Sequence, residues 1–239
     1  MSETLAPKLE IGTVGRIAIA LEPYQWPFAA ERRGEIDRHC ARFQRDRPGV
    51  WNGRVLLLKS FAIEGDVLRG VCFEADYASF CAWRDWGFPD PNVHNVFAAA
   101  ALRSADGFYL LGEMAQSTAN AGLLYFPCGT PEPADLDDRL MLDLHRNLDR
   151  ELLEETGIAA TEVAAEPGWS IVRDRGFVAL IKSLAAPASG ADLRARVLNH
   201  IAGEERPELA DIRLVRGPTD LDPRMPRFVV AFLAHMWRQ

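Results

Sequence analysis

Two spacings of apolar residues alternate along the chain and mark out its elements. Val14–Leu21 is apolar and β-branched enough for a strand. Phe28–Arg45 carries Ala29, Ile36, Cys40 and Phe43 among charges at near-helical spacing, and Arg47-Pro48-Gly49 ends it. Strands are predicted over Arg54–Ile63 and Val67–Ala75, joined at Glu64-Gly65-Asp66, and a short aromatic helix over Tyr77–Trp86. Gly87-Phe88-Pro89-Asp90-Pro91-Asn92 then breaks the pattern. Strands follow at Val96–Arg103, Phe108–Met114 and Leu123–Phe126, with a turn at Ser104–Gly107 and a polar loop at Gln116–Asn120. A loop rich in Pro and Asp, Gly129–Arg139, leads to a helix over about Leu142–Thr156, which Gly157 caps. Strands near Trp169–Val172 and Phe177–Leu184, a helix over Ala191–Ile201, a strand at Ile212–Val215 and a closing helix at Arg227–Trp237 complete the reading.

Strands mixed with helices on both sides argue an α/β or α+β sandwich. The break at residues 87–92 predicts an N-terminal α+β module, 1–92, ahead of a larger domain, 93–239. A chain of 239 residues is long enough for both. The composition is that of a globular protein, 48% apolar and 26% charged. It excludes disorder, collagen and coiled coil. The net charge of −7 makes non-specific nucleic-acid binding a poor expectation, because phosphate contacts dominate such affinity. A phosphate-bearing small ligand stays open. No apolar run approaches the roughly 18 residues of a membrane span. MSETLAPKLE has neither the basic start nor the apolar stretch of a signal peptide. Cys40, Cys72, Cys81 and Cys128 form no C-x-x-C pair, so a reduced, cytoplasmic protein is expected.

The chemistry concentrates in Arg150-Glu151-Leu152-Leu153-Glu154-Glu155-Thr156-Gly157-Ile158. On a helix Glu151, Glu154 and Glu155 are i, i+3 and i+4 neighbours on one face, and three like charges so placed repel. A solvated acidic face is the ordinary explanation for a Glu-Glu pair alone. A divalent cation is the other compensator, with magnesium favouring oxygen ligands. Leu148 and Leu152 form the ridge that seats this helix. The pattern Arg-Glu-aliphatic-x-Glu-Glu-x-Gly-aliphatic fixes seven positions and arises by chance in roughly one chain in 10⁴ or fewer.

This stretch resembles the second half of the Nudix box, the signature of Nudix hydrolases. The full box reads Gly, five residues, Glu, seven residues, then that pattern. Leu124-Tyr125-Phe126-Pro127-Cys128-Gly129 resembles the strand and loop before it, with Cys128 where the family often has glycine. The resemblance covers roughly Val96–Ile158. Counted back from Arg150, the first Glu falls on Leu142, and the Gly129-to-Arg150 interval holds seven extra residues. Asp143, next door, is the candidate replacement.

The resemblance implies a Nudix-type α/β/α sandwich with a mixed sheet, and Mg²⁺ (or Mn²⁺) as cofactor. It implies hydrolysis of a nucleoside diphosphate linked to another moiety, of ADP-ribose or nucleotide-sugar type. Glu154 and Glu155 are then direct metal ligands, Glu151 a ligand or the base, and Gly129 a backbone ligand, while Arg150 orients the glutamates. A base on a later loop is sought among Glu204, Glu205 and Glu208, and Glu208 is taken; a solvated loop is the competing explanation. A homodimer through the N-terminal module is admitted. The rival reading is a Nudix-like module that binds nucleotides without cleaving them.

Other residues carry weaker signals. Glu113 is a candidate to face the site, and Arg173 and Arg175, flanking Asp174, a candidate phosphate clamp; surface charge explains each as well. His39, His94, His145, His200 and His235 show no zinc-like pairing, and His145 reads as a polar surface residue. The loop Thr118–Gly122 borders the pocket or is a tight hairpin. Trp26, Trp51, Trp83 and Trp86 are read as core rather than as stacking platforms.

Overall fold

The computed structural model describes residues 9–46 and 53–238. The helix stop at Arg47-Pro48-Gly49, Trp51 and the first eight residues lie outside them. The strands are β1 (Glu10–Val14), β2 (Arg16–Leu21), β3 (Arg54–Glu64), β4 (Val67–Asp76), β5 (Asn95–Arg103), β6 (Tyr109–Met114), β7 (Leu124–Tyr125), β8 (Cys128–Gly129), β9 (Ala164–Ala165), β10 (Trp169–Asp174), β11 (Phe177–Ala185) and β12 (Leu209–Val215). The helices are α1 (Pro27–Glu31), α2 (Arg33–Asp46), α3 (Tyr77–Asp85), α4 (Leu144–Thr156), α5 (Gly190–Gly203) and α6 (Arg227–Met236).

The larger sheet runs β1-β10-β11-β5-β6-β12, with β7 on β6, β8 on β5 and β9 on β11. β11 and β5 are parallel and the other pairs antiparallel, so the sheet is mixed. Its centre shows why both faces are covered. β5 is buried almost throughout, and strand alternation divides it between two cores. Val96, Ala98, Ala100 and Leu102 pack with Leu148 and Leu152 of α4 and Leu193 and Val197 of α5. Phe97, Ala99 and Ala101 pack with Phe228, Val229 and Phe232 of α6. The mixed α/β sandwich expected from the sequence is therefore present, with helices on each face of one sheet.

The expected strand Val14–Leu21 is two strands in two sheets. It breaks at Gly15, whose amide donates to the Asp66 backbone carbonyl at 2.9 Å and to Asp66 Oδ1 at 2.6 Å. β1 joins the larger sheet beside β10, while β2 enters a smaller sheet ordered β2-β4-β3. The expected helix Phe28–Arg45 likewise divides into α1 and α2 at Arg32, whose φ of −108° and ψ of 17° leave the helical region. One face of the small sheet packs with α1–α3 around Trp26, Phe28, Ile36, Phe73 and Trp83. Trp26 and Trp83 are core, and their indole N–H groups donate to Asp90 Oδ2 (2.9 Å) and the Asp90 carbonyl (3.1 Å). The proline-rich segment is thereby tied to the aromatic core.

The other face of the small sheet shares a core with the larger one. Ile19, Leu56, Leu58, Leu68 and Cys72 cluster with Val96, Ala98 and Leu148. The loop from Gly129 to Leu142 bonds both edge strands of that sheet. The Leu56 amide donates to the Pro131 carbonyl at 2.7 Å on the β3 edge. On the β2 edge the Leu21 amide donates to Leu140 and the Leu142 amide to Ile19, each at 2.8 Å. Asp137 shapes the tip, its Oδ1 accepting from the amides of Arg139 (2.8 Å) and Met141 (2.9 Å).

Leu142 is therefore a core residue, 5% exposed. Leu142→Ala should cost about 2–4 kcal/mol of unfolding free energy in a denaturant melt. Leu142→Glu, which writes the resembled acid into that position, should cost at least as much, since it buries a charge without a partner. A Glu variant as stable as the parent would show that the position is not core.

Candidate active site

α4 places the carboxylates. Asp143, the predicted substitute acid, is instead its N-cap, accepting from the amides of His145 (3.0 Å) and Arg146 (3.1 Å). The helix begins at Leu144 and not at Leu142, and Gly157 ends it in the left-handed region at φ 65°. Asp143 is therefore spent on the helix terminus, about two turns before Glu151.

The acid that meets Arg150 is Asp135, which the sequence reading passed over. It lies six residues after Gly129, where the box pattern places its first Glu. The surplus falls after it: fourteen residues, 136–149, stand where the pattern has seven. Counting forward from Gly129, instead of back from Arg150, is the signal that finds it. Asp135 is 1% exposed. Its Oδ2 accepts from Arg150 Nη2 (3.1 Å), Asn147 Nδ2 (3.1 Å) and the Glu132 amide (2.9 Å). A short 3₁₀ turn at Pro133–Asp135 presents it.

Arg150 in turn holds Glu151 Oε1 at 2.8 Å and Glu154 Oε2 at 3.1 Å through Nη1. One guanidinium thus joins three acids, using the planar fork that favours bidentate pairing. Glu151 packs against Gly129 so closely that a Cβ there would collide with its carboxylate. Burial pushes the Glu151 carboxyl up to about 7; Arg150 pulls it back, while Glu154, Glu208 and Asp135 push further. Glu155 is raised well above the ordinary range, by burial first and then by Glu151 and Glu208. The Cys128 amide opposes this, donating to Oε1 at 3.2 Å. Burial and the same carboxylates raise the Cys128 thiol, which keeps it protonated.

Of the loop candidates, Glu208 is the one whose charge acts on both Glu151 and Glu155. Its carboxyl is raised by the protein crowded around it and by Glu154 and Glu204, although the residue keeps an exposed surface. Its carbonyl accepts from the Ala115 amide at 2.8 Å, which anchors the loop to the end of β6. Glu204 is turned to His200 (3.6 Å), and Glu205 is exposed.

The remaining candidates are occupied elsewhere. Glu113 pairs with Arg224 at 2.8 Å, and Arg224 also holds Asp222. Arg173 pairs with Glu10 (3.4 Å), and Arg175 Nη2 donates to the Gly87 carbonyl (2.8 Å), so neither is set as a phosphate clamp. His145 lies against Trp169, with ring centroids 4.8 Å apart. Residues 118–122 belong to the nine-residue, turn-rich connection between β6 and β7, which is closed by the Gly122 amide on the Met114 carbonyl (2.8 Å). Among the described residues no group of three His, Cys, Asp or Glu side chains is arranged to hold a metal ion, and Glu154 is paired with Arg150. No helix of the described residues is long and apolar enough to cross a membrane.

The folded Glu151 carboxyl titrates at about 7 against an ordinary 4.5. Below 4.5 it is protonated in both states and contributes nothing. Between 4.5 and 7 the unfolded chain ionises first, so stability falls as pH rises; above 7 the penalty is complete, about 3 kcal/mol. Glu151→Gln should flatten this fall and raise the melting temperature at pH 8 in metal-free buffer, with Glu155 supplying the remaining slope. A parent chain whose stability is level from pH 5 to 8 contradicts the burial of Glu151.

No family model matches the chain, and no curated protein matches it. It is similar to several solved structures at low identity. It aligns over 61% of its length with 94% of a MutT protein from Methanosarcina mazei Go1, at 18% identity and a TM-score of 0.42. It aligns over 61% with 84% of RenU, a Nudix hydrolase from M. smegmatis, at 15% identity and a TM-score of 0.38. It also aligns over 61% with 41% of a bifunctional NMN adenylyltransferase/ADP ribose pyrophosphatase from Francisella tularensis, at 13% identity and a TM-score of 0.40.

Proposed function

We propose that the chain is a divalent-metal-dependent pyrophosphohydrolase of Nudix type, acting on a nucleoside diphosphate linked to another moiety, of ADP-ribose or nucleotide-sugar type. The observation that carries this reading is the pair of buried carboxylates, Glu151 and Glu155, beside Gly129 with less positive charge than they need. Arg150 is shared among Asp135, Glu151 and Glu154, and among the described residues Glu155 is met by a backbone amide rather than a cation. Raised carboxyls so clustered are characteristic of working sites rather than of surface acids.

The donor set fits Mg²⁺ or Mn²⁺: hard carboxylate oxygens, concentrated and under-neutralised. Glu151 and Glu155 would hold the ion, joined by Glu154 once it leaves Arg150 and by the Gly129 carbonyl. A bound dication supplies charge neutralisation of the diphosphate and a more acidic water. The chain's own residues do the rest. Arg150 fixes the glutamate rotamers from its anchor on Asp135. The Cys128 amide orients Glu155. Glu208, with its raised carboxyl near the glutamates, is suited to accept a proton from the attacking water near neutral pH. A cytoplasmic location and a homodimer through the N-terminal segment accompany this reading.

The second reading, a module that binds a nucleotide without cleaving it, is favoured by the ion pair that turns Glu154 to Arg150. Incubation with ADP-ribose or a nucleotide sugar and Mg²⁺ separates the two. Release of a nucleoside monophosphate is expected, with loss on chelation and a fall of at least about 100-fold in Glu155→Gln. Turnover that survives Glu154→Gln and Glu155→Gln together defeats the assignment of these ligands. No turnover, with a nucleotide-dependent rise in melting temperature, favours the binding module.

A further inference from the structure

A second feature lies at the opposite end of the same strands. A cavity of about 510 Å³ is lined by Arg103, Asp106, Gly107, Tyr109, Arg216 and Trp237, among others. Its position follows from strand register. Tyr109 pairs with both Arg103 and Val215, whereas Met114, at the far end of β6, pairs with Leu209 beside Glu208. Arg103 is likewise five residues along β5 from Ala98, which faces Gly129. Five strand residues span about 17 Å, so the cavity is separate from the carboxylate face.

The two guanidinium groups flank the turn at Gly107, where Arg103 Nη2 and Arg216 Nε each lie 3.8 Å from the place a Cβ would occupy. Arg103 also lies over the Tyr109 ring (6.0 Å) and Arg216 over Phe108 (5.4 Å), contacts in which the ring face attracts the cation. Among the described residues neither side chain has a carboxylate within 4.0 Å; Gln239, two residues beyond Trp237, lies outside them. The acid in the lining is Asp106. Its Oδ1 is taken by the Ser104 hydroxyl (2.6 Å) and the Gly190 amide (2.8 Å), and its charge offsets part of that on Arg216. Among the described lining residues the two guanidinium groups outweigh Asp106 by one charge, and each rests on an aromatic ring rather than on a carboxylate.

We propose that this cavity binds a phosphomonoester joined to a flat organic group. Two arginine forks suit a dianion with three terminal oxygens better than a carboxylate, which one fork satisfies. The volume exceeds that of phosphate alone and falls within the range of small-ligand sites, and the partly exposed Trp237 offers ring surface for the organic part, while Tyr109 is buried beneath Arg103. The site acts independently of any metal on the glutamates.

Calorimetric titration of the full chain in EDTA with AMP, inorganic phosphate and adenosine tests the proposal. AMP is expected to bind, phosphate more weakly, and adenosine not at all. Arg103→Gln and Arg216→Gln should each weaken AMP by about tenfold or more. Their melting temperatures should stay at the parent value, since both side chains are exposed. Glu155→Gln should leave AMP affinity unchanged. The proposal is overturned if AMP fails to bind below about 10 mM, if both Arg variants bind it as the parent does, or if Glu155→Gln is the variant that loses it. Phosphate binding as tightly as AMP overturns the role given to the Trp237 ring.

Discussion

The arrangement of this protein turns on the charge of Arg150. Burying a carboxylate is expensive unless a counter-charge or donors follow it in. Here Glu151 and Glu155 are buried on one turn of α4, and Arg150 is the cation in contact with Glu151 and Glu154. A partly buried arginine that serves two flexible glutamates also needs a rigid anchor. Asp135 provides it: fully buried, with three donors on a single oxygen, it fixes where the guanidinium lies. The glutamate geometry therefore depends on a residue of the loop that precedes the helix, outside the helix itself.

That dependence gives the N-terminal segment a structural role. The loop carrying Asp135 is long, and a long loop with no partners would hold its acid poorly. Its backbone is instead hydrogen-bonded to β3 at Pro131 and to β2 at Leu140 and Leu142. The small sheet gains cover for both of its edges, which otherwise would expose unpaired backbone groups. Leu140 and Leu142, which reach β2, lie in the stretch 136–149 between Asp135 and Arg150, so this long loop and the N-terminal segment support each other. The shared cluster of Ile19, Leu56 and Leu58 with Leu142 and Leu148 makes the support apolar as well as hydrogen-bonded.

Glu155 shows the opposite balance. Among the described residues no arginine pairs with it, and the Cys128 amide meets one of its oxygens. Its carboxyl rises in consequence, and with it the Cys128 thiol. Neutralising this corner would stabilise the fold, and the chain leaves it under-neutralised. Local instability retained at one buried cluster is what a ligand-binding site requires of its residues.

Periodicity alone determined the strands β3–β6, β10 and β11 and the helices α3–α6 to within a few residues, because alternation and the 3.6-residue repeat depend only on which side faces a core. The glutamate face of α4 was legible for the same reason, since i, i+3 and i+4 neighbours are fixed by helix geometry. Tertiary structure decided what local rules cannot reach. Gly15 sends one apolar run into two sheets because Asp66, fifty-one residues away, captures its amide. Asp143 becomes a cap because the helix starts one residue after it. Asp135 becomes the partner of Arg150 because a folded loop, held on a second sheet, carries it there. Spacing specifies contacts within one element; contacts between elements depend on where long-range pairing delivers a side chain, and the chain order does not record that.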